Sequence, residues 1–320
     1  MKILITGVGG FVSRHFLSLL NEKEPGAEVI GLDKTVTGLD PAAYPKLRIR
    51  FIAHNLSDRA ATKEILSAYR PGYLLHLASV SSVAKSWEAP AETFINNTGI
   101  FLNIAEAIRS GNFPCRILSV GSSEEFGEVD ENELPLTEGH PLKPLSPYAA
   151  ARVSQEILSK LYADGYSMDI IMTRSFNHIG PGQKEQFAIS SFAKQLVQLA
   201  KDGSTGKSIS TGDLSVTRDL VDVRDVVKAY YLLLKKGRAG EVYNICSGMG
   251  VVLKEVITKM SELLNITVET KTDPQRVRPS ENKKIIGSYQ KIKTELGWEP
   301  TIPLEKSLTD ILDYWRSAVD

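Results

Sequence analysis

Short apolar runs alternate with longer amphipathic stretches through the first half of the chain. The runs Lys2–Thr6, Glu28–Leu32, Arg48–Ala53, Tyr73–Leu77, Arg116–Val120 and Asp169–Thr173 have the length of strands. They are continuously apolar rather than alternating, which predicts strands covered on both faces of a parallel sheet. Between them lie the helix-like segments Phe11–Asn21, Asp58–Tyr69, Ala91–Ser110 and Ser146–Asp164. One crossover per strand pair predicts an α/β fold with a doubly wound parallel sheet.

After Arg174 the pattern loosens. Asn177 to Gln186 is rich in Gly, Pro and polar residues and reads as a loop. Val242–Ile245 reads as a further strand returning to the sheet, and Leu304–Val319 as a last amphipathic helix. The segments Gln183–Thr211 and Val251–Ser280 read as insertions of mixed character. The expected organisation is a dinucleotide-binding domain over 1–175 plus about 213–247, with a smaller, discontinuous substrate lobe over about 176–212 and 248–320.

Composition narrows the function classes. Lys plus Arg and Asp plus Glu both number 38 in 320 residues, so no global field attracts polyanions and nucleic-acid binding is not expected. The only cysteines, Cys115 and Cys246, sit in apolar surroundings and read as buried small hydrophobes in a reducing compartment. No apolar run approaches a membrane span, and the opening run Met1–Gly7 is short for a secretion signal, so a cytoplasmic location is expected. The histidines show no metal-ligand arrangement, and no metal is expected.

Gly7-Val8-Gly9-Gly10-Phe11-Val12 follows the first strand and opens the first helix. Glycines there let backbone N–H groups approach a pyrophosphate resting on the helix N-terminus. Ser13 replaces the last glycine of that spacing and is small enough for close helix–strand packing. The second strand ends at Asp33, whose carboxylate suits the adenosine ribose hydroxyls and repels a 2′-phosphate. That favours NAD(H); the neighbouring Lys34, a cation that suits the extra phosphate, keeps NADP(H) open.

Downstream, Ser146-Pro147-Tyr148 opens a helix on which Tyr148 and Arg152 lie four apart on one face. A cation beside a phenol favours its ionised form, which suits Tyr148 to proton exchange with a sugar oxygen while the nicotinamide exchanges hydride. A hydroxyl at Ser122, after the fifth strand, would hold that oxygen. On spacing alone, the Tyr148–Arg152 pair also fits an exposed helix surface.

With these signals in one order, the chain resembles the extended short-chain dehydrogenase/reductases that act on nucleotide sugars, enzymes with a Rossmann-like fold. The resemblance rests on Thr6-Gly7, Gly10-Phe11-Val12, His76-Leu77-Ala78, Ser122-Ser123-Glu124, Tyr148, Arg174, Phe176-Asn177-His178, Arg218-Asp219 and Tyr243-Asn244-Ile245. Arg278-Pro279-Ser280-Glu281 and Ile302-Pro303-Leu304 make it most similar to the reductases of GDP-linked 4-keto-6-deoxy-mannose. The resemblance implies that Ser122, Tyr148, Arg152 and Glu124 are catalytic. It implies that Gly7, Gly10, Phe11, Val12, Asp33, Lys34, Asn55, Leu56, Leu77 and Ala78 hold the cofactor with Tyr148 and Arg152. It places Ser81, Ser122, Ser123, Asn177, Arg218, Arg278 and Glu281 against a GDP-linked sugar. Without it, Arg218-Asp219 and Arg278/Glu281 read as surface ion pairs.

Arg152 departs from the family, which has lysine there. Arginine keeps the charge but is forked and never deprotonates, so lowered turnover with retained cofactor binding is expected. The expected reaction is NAD(P)H-dependent reduction of a GDP-4-keto-6-deoxy-hexose to a GDP-6-deoxy sugar of the rhamnose type. A 4,6-dehydratase or epimerase on the same scaffold is the alternative, and an inactive binding relative is a third reading. The resemblance also implies a homodimer built on helices Ala91–Ser110 and Ser146–Asp164, with Leu102, Ile104 and Ile108 facing either the partner or the sheet.

Overall fold

The structure, a computed structural model, describes residues 1–201, 208–277 and 282–319. The first half runs β1 (Lys2–Thr6), α1 (Phe11–Lys23), β2 (Glu28–Asp33), β3 (Arg48–Ala53), α2 (Arg59–Tyr69), β4 (Tyr73–His76), α3 (Val83–Glu88), α4 (Pro90–Gly111), β5 (Arg116–Ser122) and α5 (Pro147–Tyr166). It continues with β6 (Ile170–Ser175), β7 (Asn177–Ile179), α6 (Ala188–Lys201), β8 (Ser208–Thr211), β9 (Thr217–Asp222), α7 (Val223–Lys236) and β10 (Val242–Ile245). The last part holds β11 (Gly250–Val252), α8 (Leu253–Leu264), β12 (Glu269–Thr272), β13 (Lys284–Ile285), α9 (Gln290–Leu296) and α10 (Leu304–Ala318).

Among the described residues, seven strands form one sheet in the order β10-β6-β5-β4-β1-β2-β3. Every pairing in it is parallel. The strand order reverses between β1 and β4, the position at which open α/β sheets form a ligand crevice at their C-terminal edge. Successive residues of β1 explain the continuous apolar runs. Ile3 and Ile5 pack with Phe16, Leu17 and Leu20 of α1 and with Val226 and Tyr230 of α7. Leu4 points the other way, into a core with Ile100, Phe101, Ile104 and Ile108 of α4. Ile104 and Ile108 therefore face the sheet and not a partner.

A third apolar cluster joins Phe192 and Leu196 of α6, Val256 and Met260 of α8, and Leu308, Ile311 and Leu312 of α10. The loop expected over Asn177–Gln186 needs correction at its start. Asn177–Ile179 pairs in parallel with Leu220–Asp222 of β9, a partner too distant in sequence to be read from local polarity. The mixed segments also pair with each other, β8 with β12.

Candidate active site

The glycine loop is fixed from three sides. Gly7 and Val8 donate backbone N–H bonds of 2.8 and 3.2 Å to the Leu32 carbonyl at the end of β2. Gly7 adopts φ +70°, and a Cβ there would lie 2.9 Å from the Ala78 amide nitrogen, so the loop rests directly on the end of β4. Ser13, buried where a third glycine is usual, donates from Oγ to the Gly7 carbonyl at 2.7 Å. Gly10 caps α1 with extended backbone, no side-chain hydrogen bond and no acid in the first turn. The amides of Phe11 and Val12 thus lie at a helix N-terminus that no side chain caps, beneath a loop in which Gly7 has no room for a Cβ. These features fit a dinucleotide pyrophosphate.

Asp33 closes the loop's outer side. Its Oδ2 accepts from Gly9 N at 3.0 Å and its Oδ1 from Lys34 N at 2.7 Å, while the Lys34 side chain is exposed. Asn55 is exposed and accepts from Ser57 N at 3.2 Å; Leu56 is buried in the core. Phe11 is flanked by His15 edge-on at 5.3 Å and His178 stacked at 6.2 Å. Burial lowers the pKa of both histidines. His15 bonds the Pro181 carbonyl at 2.9 Å.

At the end of β1, Thr6 Oγ1 accepts from Leu77 N and Ala78 N, each at 3.2 Å. With those lone pairs engaged, its proton goes to His76 Nδ1 at 2.9 Å, which assigns the imidazole proton to Nε2. Burial and the nearby Arg152 hold His76 down to about 3, so it is neutral at physiological pH.

Helix α5 begins with Ser146, whose Oγ accepts from Ala149 N at 3.1 Å, followed by Pro147. Tyr148 and Arg152 are 7% and 4% exposed, which rules out the exposed-surface reading of the pair. Arg152 Nε donates to Tyr148 OH at 3.2 Å. The phenol oxygen accepts there, so its own O–H can donate elsewhere. Arg152 Nη1 donates to Val120 O at 2.9 Å and Gln155 Oε1 at 2.8 Å, and Nη2 donates to Ser79 Oγ at 2.6 Å.

Ser122 ends β5 beside Ser175 of β6. Its Oγ accepts from Glu124 N at 3.2 Å, which leaves the hydroxyl proton to donate. Helix α5 packs against the turn Ser123–Glu125. Ser123 is buried and Glu124 half-buried on that turn. Glu125 is fully buried and accepts from Ser122 N at 2.5 Å. Burial, then the charge of Glu156, pushes its carboxyl well up. Its Oε2 is buried without a hydrogen-bond partner, so the neutral acid is the form that suits the site. Arg174 closes this cluster with bonds of 2.9 and 2.7 Å to the two Glu156 oxygens.

Arg218 and Asp219 are not a surface ion pair. Both are buried on β9, where neighbouring side chains point to opposite faces. Arg218 donates to the Thr217 carbonyl at 2.9 Å. Asp219 accepts from Ser247 N and Oγ, Gly248 N and Gly287 N, and burial pushes it up to about 6. Asn177 and Ser81 are exposed. Arg278 and Glu281 lie outside the described residues.

Three residues escaped the sequence reading. Gln155 stands three places after Arg152 on the same helix, so spacing could have found it. Glu125 hides in a run of two acids, and only burial separates it from Glu124. Ser79 carries no signal beyond following Ala78. Cys115 and Cys246 are buried, and burial pushes Cys115 up to about 12. Among the described residues, no cluster of three His, Cys, Asp or Glu could hold a metal, and no helix is long and apolar enough to cross a membrane.

The chain matches the GDP-mannose 4,6 dehydratase family over residues 4–311. It is 31% identical over 318 residues to the GDP-6-deoxy-D-mannose reductase of Pseudomonas aeruginosa, covering 99% of this chain and 98% of that one. The structure of RMD from Pseudomonas aeruginosa complexed with NADPH superposes with a TM-score of 0.84 at 29% identity, covering 99% of both chains. A UDP-glucose 4-epimerase from Thermus thermophilus in complex with NAD superposes with a TM-score of 0.87 at 27% identity, covering 99% of this chain and 100% of that one.

Proposed function

Because the chain belongs to the GDP-mannose 4,6 dehydratase family of extended short-chain dehydrogenase/reductases, we propose that it reduces a GDP-linked 4-keto-6-deoxy-hexose to a GDP-6-deoxy sugar of the rhamnose type. One observation carries this reading: the Arg152 guanidinium joins the Tyr148 phenol to Ser79, the residue after the Ala78 on which the Gly7 loop rests. The proton donor and the dinucleotide loop therefore share one cleft.

The Gly7, Gly10, Phe11 and Val12 backbone and Asp33 would hold the cofactor, with Asn55 and Leu56 toward the adenine and Leu77 and Ala78 toward the nicotinamide. When bound in reduced form, that cofactor supplies hydride to the keto carbon. Ser122 donates its hydroxyl proton to the ketone oxygen, and Tyr148 gives its proton to the alkoxide as it forms. Arg152 stays charged and stabilises the phenolate left behind. Arg218, Arg278, Asn177, Ser81, Ser123 and Glu281 are assigned to the GDP-sugar, the arginines to its diphosphate. The Asp33 carboxylate at the end of β2 favours NADH over NADPH.

Glu124, half-buried on the Ser122 turn, sustains a dehydratase or epimerase as the second reading. Cofactor handling separates them. A reductase oxidises NADH one-for-one with a GDP-4-keto-6-deoxy-mannose substrate. Conversion of GDP-mannose to the keto sugar with catalytic NAD and no net NADH change would overturn the reductase reading. We also infer a homodimer through α4 and α5, on which Phe94, Ile95, Ile157 and Leu161 are exposed on the outer face.

A further inference from the structure

We propose that Arg152 and Gln155 act as one unit, Gln155 being the positioning residue that lets a forked guanidinium occupy the cleft in place of an ammonium. This rests on the reading that the cleft holds a reduced nicotinamide dinucleotide.

The argument is a donor count. A guanidinium carries five N–H groups, and Arg152 is 4% exposed, so each group without an acceptor is costly. Nε–H goes to Tyr148 on the same helix. Nη1 has two hydrogens, one for the Val120 carbonyl on β5 and one for Gln155 Oε1. Nη2 spends one hydrogen on Ser79 Oγ. One Nη2–H is left beside Ser79, on the side of the cleft assigned to the nicotinamide, as the donor for a bound cofactor.

The Val120 acceptor of the first Nη1–H is a backbone carbonyl that no substitution removes. Gln155 is different, because only its side chain supplies the acceptor for the second Nη1–H. It is 2% exposed and is itself held, with Nε2 donating to Ser119 Oγ at 2.9 Å and to Val120 O at 3.3 Å. Ser159 Oγ supports Ser119 at 2.9 Å. Tyr148, Arg152, Gln155 and Ser159 thus form a buried polar ladder down one face of α5. Fixing Nη1 at two points sets the plane of the guanidinium. That plane decides where Nε meets the phenol and where the spare Nη2–H points. A lysine ammonium has no plane to fix and carries three N–H groups on one nitrogen, two fewer than the guanidinium, so it does not need Gln155.

The test is a double-mutant cycle of Gln155→Met and Arg152→Lys, read as NADH affinity by fluorescence titration and as melting temperature. In the Arg152 protein, Gln155→Met is expected to weaken NADH binding about tenfold, the cost of one stranded buried donor, and to lower the melting temperature. In the Arg152→Lys background, the same change should move affinity less than about threefold. Gln155→Glu keeps the acceptor for Nη1–H but turns its other carboxylate oxygen toward the Val120 carbonyl in place of Nε2, so it should lose less NADH affinity than Gln155→Met. Equal losses in both backgrounds, or a Gln155→Glu loss as large as that of Gln155→Met, would overturn the proposal, since Gln155 would then be a packing residue. If Gln155→Met fails to fold alone but folds with Arg152→Lys, the coupling is demonstrated; failure in both backgrounds refutes it. Wild-type protein that binds no NADH or NADPH at all would instead sink the functional reading beneath it.

Discussion

At the scale of single residues, the site depends on which groups carry protons. Tyr148→Phe removes the proton donor while leaving a ring of nearly the same shape over Arg152. Turnover of the keto sugar at saturating NADH should fall about 10²–10⁴-fold, while fluorescence titration should still show NADH binding, weakened only by the loss of the acceptor for Arg152 Nε–H. Glu125 makes a pH-dependent contribution. It faces Glu156 from α5 and Arg174 from β6, and burial together with the Glu156 charge pushes its carboxyl well up. The unfolded chain releases the Glu125 proton near the ordinary value of 4.5, whereas the fold retains it. Its contribution to stability is therefore intact below that pH and lost as pH rises through the raised folded value. Glu125→Gln copies the neutral acid and still accepts from Ser122 N. The variant's melting temperature should gain on wild type as pH rises from about 5 to about 8. Glu125→Val leaves Ser122 N–H buried without an acceptor and should cost about 1–3 kcal/mol by denaturant titration. The tyrosine was legible from its neighbours in sequence; the raised Glu125 carboxyl was not, because Glu156 and Arg174 meet Glu125 only in the fold.

At the scale of elements, local sequence did most of the work. The seven strands of the main sheet and the helices α1, α2, α4 and α5 fall within a few residues of where apolar periodicity puts them, whereas α3, α6 and α7 have no counterpart in that reading. Asp33 extends β2, and Ser122 extends β5. The Gly7 turn shows why a loop can be read and still need coordinates. Its glycines were plain, but the contact with Ala78 that demands Gly7 was not. Gly7→Ala forces Cβ to 2.9 Å from the Ala78 amide at φ +70°. It should destabilise the protein by about 1–3 kcal/mol in chemical denaturation and weaken NADH binding with it. β7 was misread because Gly180, Pro181 and Gly182 mark a loop so strongly that three preceding residues were absorbed into it.

At the scale of the whole molecule, distant segments meet through buried polar contacts. Asp219 ties β9 to the Ser247–Gly248 turn and to Gly287 with four hydrogen bonds. Asp219→Asn turns an N–H₂ toward two N–H donors. It should lower the melting temperature and weaken GDP binding in calorimetry, because β9 carries Arg218. The outer faces of α4 and α5, which pack on each other, leave Ile95 70% and Leu161 58% exposed. Ile95→Glu with Leu161→Glu should convert a dimer to a monomer in sedimentation. A wild-type protein already monomeric would refute the homodimer.

The order of apolar runs, the position of the glycines and the spacing of Tyr148 to Arg152 were properties of the chain itself. Strand and helix periodicities are local, and a turn residue acts where it stands. The tertiary structure alone decided that Arg152 is buried, that Gln155 and Ser79 take its hydrogen bonds, and that Arg218 and Asp219 separate to opposite faces of a strand. Those outcomes depend on which segments far apart in sequence are brought together, and on the removal of water that makes every buried N–H find a partner.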